Sequence, residues 1–281
     1  MIEIEHDCTC DSNPLIPQVC KVIEITEETS DVKSFRVQTL EGEIPFAFKP
    51  GQLGMLGLAP FGESMFCVSM GGDDWIEFTV KKVGTVTERL HLLYPGSQVT
   101  VRGPYGNHWP ADQCKGRDML FIAGGIGLPP VRTFLLHTLA NRDDYGRIDL
   151  VYSASTKADL VFKKQLFELW PAEKDMNVHV STYRASDDWD GEVAYTAPFL
   201  ESLGLDVSNT TAVLCGGPSL YRTCSKALAN MGVSDDNVIT TLEMRMKCGI
   251  GKCGRCNAGS KYICLDGPVF TQAEVNSLLK D

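Results

Sequence analysis

Near the C-terminus Cys248, Cys253, Cys256 and Cys264 stand in a C-x4-C-x2-C-x7-C array threaded with Gly249, Gly251, Gly254 and Gly259. That spacing opens like the thiolate ligation of a [2Fe-2S] cluster, whose chemistry is one-electron transfer. Glycines between the ligands let backbone N–H groups approach the sulfurs, and Lys252 and Arg255 place positive charge beside an anionic cluster; both features raise its reduction potential. A structural zinc ion on four thiolates is the alternative for such a donor set. Such sites usually pair two C-x2-C knuckles, and this segment has one.

The segment after Glu243 is too small to hold a core of its own, so the metal would organise it. The chain has 281 residues, room for two domains and a small appendage, and its 43% hydrophobic and 22% charged residues suit an ordinary folded core. A formal net charge of -10 argues against nucleic acid or an anionic membrane as partner. No run of about 20 apolar residues offers a membrane span. The acidic start, Met1 to Asp7, is unlike a signal peptide, and eleven cysteines, an odd number, fit a reducing compartment. A cytoplasmic protein without membrane insertion is expected.

From about Val19 to Arg102 short apolar or alternating runs are separated by Gly, Pro and Asp, as in Val32-Phe35-Val37 and Ile76-Phe78-Val80. Regular short strands with turn signals predict an antiparallel barrel. One helix, Thr87 to Tyr94, interrupts it and stops at Pro95-Gly96. From Asp118 the rhythm becomes strand, glycine turn, helix, with strands expected near Met119–Ala123, Ile148–Tyr152, Val178–Ser181, Ala212–Cys215 and Val238–Thr241. Alternation of that kind predicts a doubly wound parallel sheet.

Gly124-Gly125-Ile126-Gly127 follows one of these strands and opens a helix whose next residues, Leu128, Pro129 and Pro130, suit a first turn. Bare backbone at a helix N-terminus can approach a pyrophosphate, although a plain strand-to-helix turn reads the same way. Cys215-Gly216-Gly217-Pro218 ends a later strand, and ligands of open α/β sheets lie beyond such ends, so the two loops could face one crevice. By itself Cys215 also suits a buried core thiol. In the barrel region Val83-Gly84-Thr85-Val86-Thr87 joins a strand to the inserted helix. Thr87 is expected as its N-cap, and free N–H groups there suit a phosphate or no ligand at all.

Read together, these motifs make the chain resemble the ferredoxin-NADP reductase superfamily. The branch is that of the electron-transfer subunit of dihydroorotate dehydrogenase, the flavin subunit of anaerobic sulfite reductase and the gamma (diaphorase) subunit of cytoplasmic NiFe hydrogenases. The resemblance runs from about Asn13 to Asp281. It is carried in order by Lys49-Pro50-Gly51-Gln52, Val83-Gly84 with Val86-Thr87, Arg102-Gly103-Pro104-Tyr105-Gly106-Asn107, the two glycine motifs, the cysteine array, and Asp266-Gly267-Pro268-Val269-Phe270. Met246 to Gly254 with Gly267 to Phe270 look most like the hydrogenase and sulfite reductase subunits.

The resemblance implies FAD on the barrel, with Ser64, Met65, Phe66, Cys67 and Val68 along the isoalloxazine. Thr79, Val80 and Lys81 with Gly84, Thr85, Val86 and Thr87 would lie at the ribityl and pyrophosphate. It implies NAD or NADP on the second domain, at Gly124, Gly125, Gly127, Leu128 and Pro129 and at Cys215, Gly216, Gly217 and Pro218. It implies a [2Fe-2S] cluster on Cys248, Cys253, Cys256 and Cys264. Relatives often carry a basic residue and a hydroxyl at the flavin edge, where this chain reads Ser64-Met65-Phe66-Cys67-Val68-Ser69; Cys67 would then act as a weaker donor to the flavin. Cys67 and Cys215 are the expected catalytic side chains.

The expected division is an N-terminal extension over 1–16, a FAD-binding barrel over 17–113, an NAD(P)-binding domain over 114–242 and a cluster segment over 243–281. The expected function is an electron-transfer subunit working between NAD(P)H and a partner, with a catalytic redox subunit and an iron-sulfur relay subunit as neighbours. A self-contained flavin reductase and a zinc-stabilised nucleotide-binding regulator are the rival readings. Arg184 and Lys157 are candidates for contact with a 2'-phosphate. His6, Cys8, Cys10, Asp11 and Cys20 match no known cluster spacing, so tail or buried thiols are expected there. Cys114 and Cys224 receive no role.

Overall fold

The structure, a computed structural model, describes residues 13–278. It contains two compact units. The first takes in the residues up to Glu27, Asp31–Trp109 and Leu242–Pro268; the second takes in Glu28–Ser30, Pro110–Thr241 and the residues from Val269. The cysteine loop groups with the first unit and the residues from Val269 with the second.

The first unit is built on six strands, β1 (Gln18–Glu27), β2 (Val32–Thr39), β3 (Leu53–Leu58), β4 (Gly62–Gly71), β5 (Ile76–Lys81) and β6 (Gln98–Tyr105). They pair in the order β1-β2-β5-β4-β3-β6, and β1 closes antiparallel on β6 to complete the expected barrel. Side chains alternate in and out along each strand. Phe35, Val37, Leu56, Val68, Ile76, Phe78, Val80, Val99 and Val101 fill the interior, and Leu90 of the short helix α1 (Thr85–Leu90) plugs it. Outside, Arg36 faces Glu77 across the β2–β5 pair, with Nε 3.1 Å from the carboxylate.

The second unit holds β7 (Asp118–Gly124), α2 (Leu128–Ala140), β8 (Ile148–Ala154), β9 (Met176–Thr182), β10 (Glu192–Val193), α3 (Thr196–Ser202), β11 (Thr210–Cys215), α4 (Pro218–Met231) and β12 (Val238–Thr241). The sheet order is β10-β9-β8-β7-β11-β12, all parallel, with crossovers through the helices. Leu120, Ile122, Ala212 and Leu214 pack with α3 and α4, while Phe121 meets Phe134 of α2 edge-on at 5.7 Å. Successive residues of β7 thus serve opposite layers, which is the doubly wound arrangement.

The C-terminal segment adds β13 (Asn257–Ala258) paired with β14 (Lys261–Tyr262), then α5 (Ile263–Asp266), β15 (Val269–Thr271) and α6 (Gln272–Leu278). β15 joins the second unit's sheet as an antiparallel edge beside β12. No helix among the described residues is long and apolar enough to cross a membrane.

Candidate redox site

The cysteine loop places its thiols in two pairs, Cys248 beside Cys253 and Cys256 beside Cys264. Backbone N–H groups point at two of the sulfurs: Ile250 and Cys253 donate to Cys248 Sγ at 3.5 and 3.4 Å, and Gly251 donates to Cys264 Sγ at 3.2 Å. Gly249 and Gly251 turn the loop at φ +79 and +69, a region that strains residues bearing a Cβ. Burial pulls the Cys248 thiol upward, but hydrogen bonds from the amides of Ile250, Cys253 and Lys252 outweigh it and hold the thiol at about 7. Burial, reinforced by the neighbouring Cys256, pushes Cys264 up to about 11. Among the described residues no three His, Cys, Asp or Glu side chains are arranged about one metal ion. A two-iron cluster takes two thiols per iron, and a loop that sets Cys248 beside Cys253 and Cys256 beside Cys264 suits it.

The loop lies on the outer face of the barrel. Leu53 and Met55 of β3 stand opposite Cys67 and Met65 of β4. With Tyr105 these side chains form an apolar cluster that receives Met246 and Ile250 from either side of Cys248. Arg102 of β6 donates from its two terminal nitrogens to the carbonyls of Cys248 and Lys247, at 2.8 and 2.9 Å. At the other end of the loop, Asn107 donates from its backbone N–H to Gly267 O at 2.6 Å and from Nδ2 to Asp266 O at 3.0 Å. None of Arg102, Tyr105, Asn107, Met246 and Ile250 had a role from sequence; the first three sat inside a motif noticed only for its resemblance.

For a flavin, the barrel offers the half-buried residues Ser64 to Cys67 of β4. Strand geometry separates them: Phe66 and Val68 belong to the barrel core, Phe66 lying 6.4 Å from the Phe78 ring, while Met65 and Cys67 share the outer face. Next to β4 stands the turn before α1. Val83 is 75% exposed, and a Cβ on Gly84 would meet nothing within 4 Å, so the turn has a free cradle. The expected N-cap is corrected here. Gly84 is the cap, and Thr87 lies three residues inside the helix, where its Oγ1 accepts from the N–H groups of Val83 and Gly84 at 2.9 and 3.0 Å. Gly84 has no side chain for the task, so the threonine reaches back. Those two amides are therefore occupied, which leaves Thr85 and Val86 in the first turn for a phosphate. Thr79 is likewise committed, its hydroxyl bonded to Ser34 and Ser69 at 2.9 Å each, so Thr79, Val80 and Lys81 offer main chain rather than hydroxyl. The surface fits a flat apolar ring system with a phosphate-bearing tail.

In the second unit the two glycine loops do meet. A Cβ on Gly127 would lie 2.8 Å from the Cys215 carbonyl carbon and 2.9 Å from Gly216 Cα, so these backbones touch only because Gly127 has no side chain. Gly125 and Gly217 face open space, and Pro129 and Pro218 lie in the first turns of α2 and α4. Bare backbone and two helix N-termini at the carboxyl ends of β7 and β11 form a crevice suited to a pyrophosphate. Leu128 is buried behind it. Cys215 is 3% exposed, with Sγ 3.1 Å from Thr241 Oγ1. Lys157, a candidate for a 2'-phosphate, donates to Asp188 O at 2.6 Å and pairs with its carboxylate at 3.9 Å, while Arg184 is exposed.

Among the described residues Cys20, Cys114 and Cys224 are buried thiols. Burial pushes the thiols of Cys20 and Cys224 up to about 12 and that of Cys114 to about 11. His6, Cys8, Cys10 and Asp11 lie outside the described residues.

The comparisons with known proteins agree with this geometry. Residues 121–226 match the oxidoreductase NAD-binding domain family, and residues 243–276 match the iron-sulfur cluster binding domain of dihydroorotate dehydrogenase B. The chain is 39% identical to the sulfhydrogenase 1 gamma subunit of Pyrococcus furiosus, over 92% of this chain and 91% of that protein. It is 31% identical to a probable dihydroorotate dehydrogenase B electron transfer subunit of Thermococcus kodakarensis, over 93% and 99%. Among solved structures, a chain of an NADH-dependent reduced ferredoxin-NADP oxidoreductase superposes with a TM-score of 0.76 at 20% identity, covering 93% of this chain and 91% of that one. A Neisseria gonorrhoeae ferredoxin NADP+ reductase superposes with 0.65 at 19% identity, covering 77% and 92%; both are likenesses of fold. The chain belongs to the family of electron-transfer subunits that holds the sulfhydrogenase gamma and dihydroorotate dehydrogenase B proteins, on a fold like that of the ferredoxin-NADP reductases.

Proposed function

We propose that this chain is the electron-transfer, or diaphorase, subunit of a hetero-oligomeric redox enzyme, passing electrons between NAD(P)H and a partner through FAD and a [2Fe-2S] cluster. The observation that carries the reading is the seating of a paired-thiol loop on the half-buried outer face of β4, so that Met246 and Ile250 share one apolar cluster with Met65 and Cys67. FAD, when bound, supplies the conversion between two-electron hydride chemistry and single-electron transfer.

The chain's own residues place and tune. Met65 and Cys67 line the ring face, with Cys67 a weak thiol donor, and the Gly84–Thr87 turn takes the pyrophosphate. Gly124, Gly125 and Gly127 with Gly216 and Gly217 hold the nicotinamide nucleotide beside Cys215. Cys248 and Cys253 serve one iron, Cys256 and Cys264 the other. The partner most in keeping with the relatives is a NiFe hydrogenase of the sulfhydrogenase kind, with an iron-sulfur relay subunit between. Sulfite reductase, dihydroorotate dehydrogenase and bifurcating assemblies are the alternatives, and a cytoplasmic location belongs to the same proposal.

Replacing Cys253, the exposed member of the four, by Ser tests the reading. The expected result is loss of electron delivery to the co-purified partner with NAD(P)H-dependent dye reduction retained. Equal loss of both would make the loop structural. Zinc in place of iron in anaerobically prepared protein would favour the regulator.

A further inference from the structure

Arg102 is a buried cation on the barrel wall, and all five of its N–H donors have partners. Nε and one N–H of Nη2 grip the Glu63 carboxylate side-on. The second Nη2 hydrogen goes to Lys247 O, and the two on Nη1 go to Cys248 O and to Tyr105 Oη at 2.8 Å. Tyr105 passes the bond on, donating to Pro14 O at 2.7 Å. Its ring is also the floor under the loop, since a Cβ on Gly249 would lie 2.9 Å from Tyr105 Cε1. The far end is seated by Asn107 and by Gly106, whose own Cβ would run into Gly267 O and lie 2.8 Å from Pro268 Cδ. Gln52 in turn braces this seat, donating to Gly106 O at 2.9 Å.

Building on the proposed function, we propose that the Arg102–Asn107 segment is the socket of the cysteine loop. Arg102, oriented by Glu63 and Tyr105, is the positioning residue that fixes the Cys248 ligand and the N–H groups aimed at its sulfur. Two adjacent carbonyls, a carboxylate and a phenol must be held at once by one planar fork, and lysine, a point charge with three donors, cannot reproduce that pattern. The role acts through the backbone of residues 247 and 248; Arg102 itself ligates nothing.

The test compares wild type with Arg102→Met, Arg102→Lys and Tyr105→Phe in the full chain. In metal-free protein, hydrogen exchange at the amides of Ile250, Gly251 and Cys253 is expected to speed up at least tenfold in both Arg102 variants, and less in Tyr105→Phe, which keeps the floor. In anaerobic holoprotein the same Arg102 variants are expected to show a broadened or shifted electron paramagnetic resonance signal and faster loss of iron to a chelator, with FAD content unchanged. Retained FAD shows that the barrel has folded. Should Arg102→Met lose FAD as well, Glu63→Gln, which weakens the grip without removing the cation, carries the comparison. Wild-type exchange, signal and iron retention in the Arg102 variants, or full rescue by lysine, would overturn the socket. Absence of iron from the wild type would instead overturn the functional reading on which it rests.

Discussion

Gly127 is where fold and nucleotide crevice depend on the same missing atom, so Gly127→Ala is a sharp perturbation. Its backbone, φ -76 and ψ -10, suits alanine, which removes conformational strain from the argument. The added methyl would press on the Cys215 carbonyl carbon at 2.8 Å and on Gly216 Cα at 2.9 Å, and both are main chain at the end of β11 with no rotamer to escape into. The Cys215 carbonyl oxygen lies nearer still, so restoring ordinary contact requires the two loops to part by about an ångström, an overpacking that costs about 1–3 kcal/mol. Taken up by the fold, that lowers Tm by about 2–4 °C per kcal/mol. Expressed at the crevice, it weakens nucleotide binding about 5- to 150-fold. Calorimetric unfolding and titration with NADH or ADP-ribose measure both. Gly217→Ala supplies the contrast: it adds its methyl to open space at φ -63, so affinity is expected to fall while Tm stays put. An unchanged Tm together with unchanged affinity in Gly127→Ala would refute the reasoning.

Other expectations follow from single contacts. Burial lowers the pKa of His91, whose Nε2 lies 2.9 Å from Val80 O, and burial likewise lowers His137, so the unfolded chain binds more protons just below pH 6.5. Thermal stability should therefore decline as pH falls below about 6.5, and His91→Gln should flatten that decline. Asp149 is 1% exposed and takes Arg147 Nε at 2.6 Å and His179 Nε2 and Asn177 Nδ2 at 3.1 Å. Asp149→Asn should cost about 2 kcal/mol in denaturant unfolding, less than for a wholly buried pair because Arg147 and His179 are partly exposed. Asp188→Asn removes the carboxylate charge 3.9 Å from Lys157 while the bond to the Asp188 carbonyl stays, and the ratio of NADPH to NADH affinity should rise by no more than about twofold by direct titration.

Much of this architecture was legible because its signals are local. Alternation marked the barrel strands, and strand-glycine-helix units marked the parallel sheet. Cysteine spacing marked the loop, since thiol ligation is written in a few adjacent residues. What was not legible depends on distance along the chain. Arg102 reaches a carbonyl 146 residues away, and nothing in its own neighbourhood announces that partner. The split of the C-terminal segment was equally hidden, because β15 has three residues and gains its place only by pairing with β12. Thr87 was misread as a cap because capping chemistry was recognised while Gly84, which has no side chain to recognise, held the position. In β4 the run Ser64 to Val68 read as one stretch, whereas the pleat sends Phe66 and Val68 to the barrel core and Met65 and Cys67 to the outer cluster.

The most direct test of the account is an anaerobic titration of the purified chain with NADH or NADPH, following flavin absorbance and the electron paramagnetic resonance spectrum together. The account predicts that flavin bleaching is accompanied by the signal of a one-electron-reduced iron-sulfur centre, and that in Cys253→Ser the bleaching persists without that signal. A flavin that bleaches while the wild-type protein shows no paramagnetic centre, or a chain that takes up neither flavin nor iron, would contradict it.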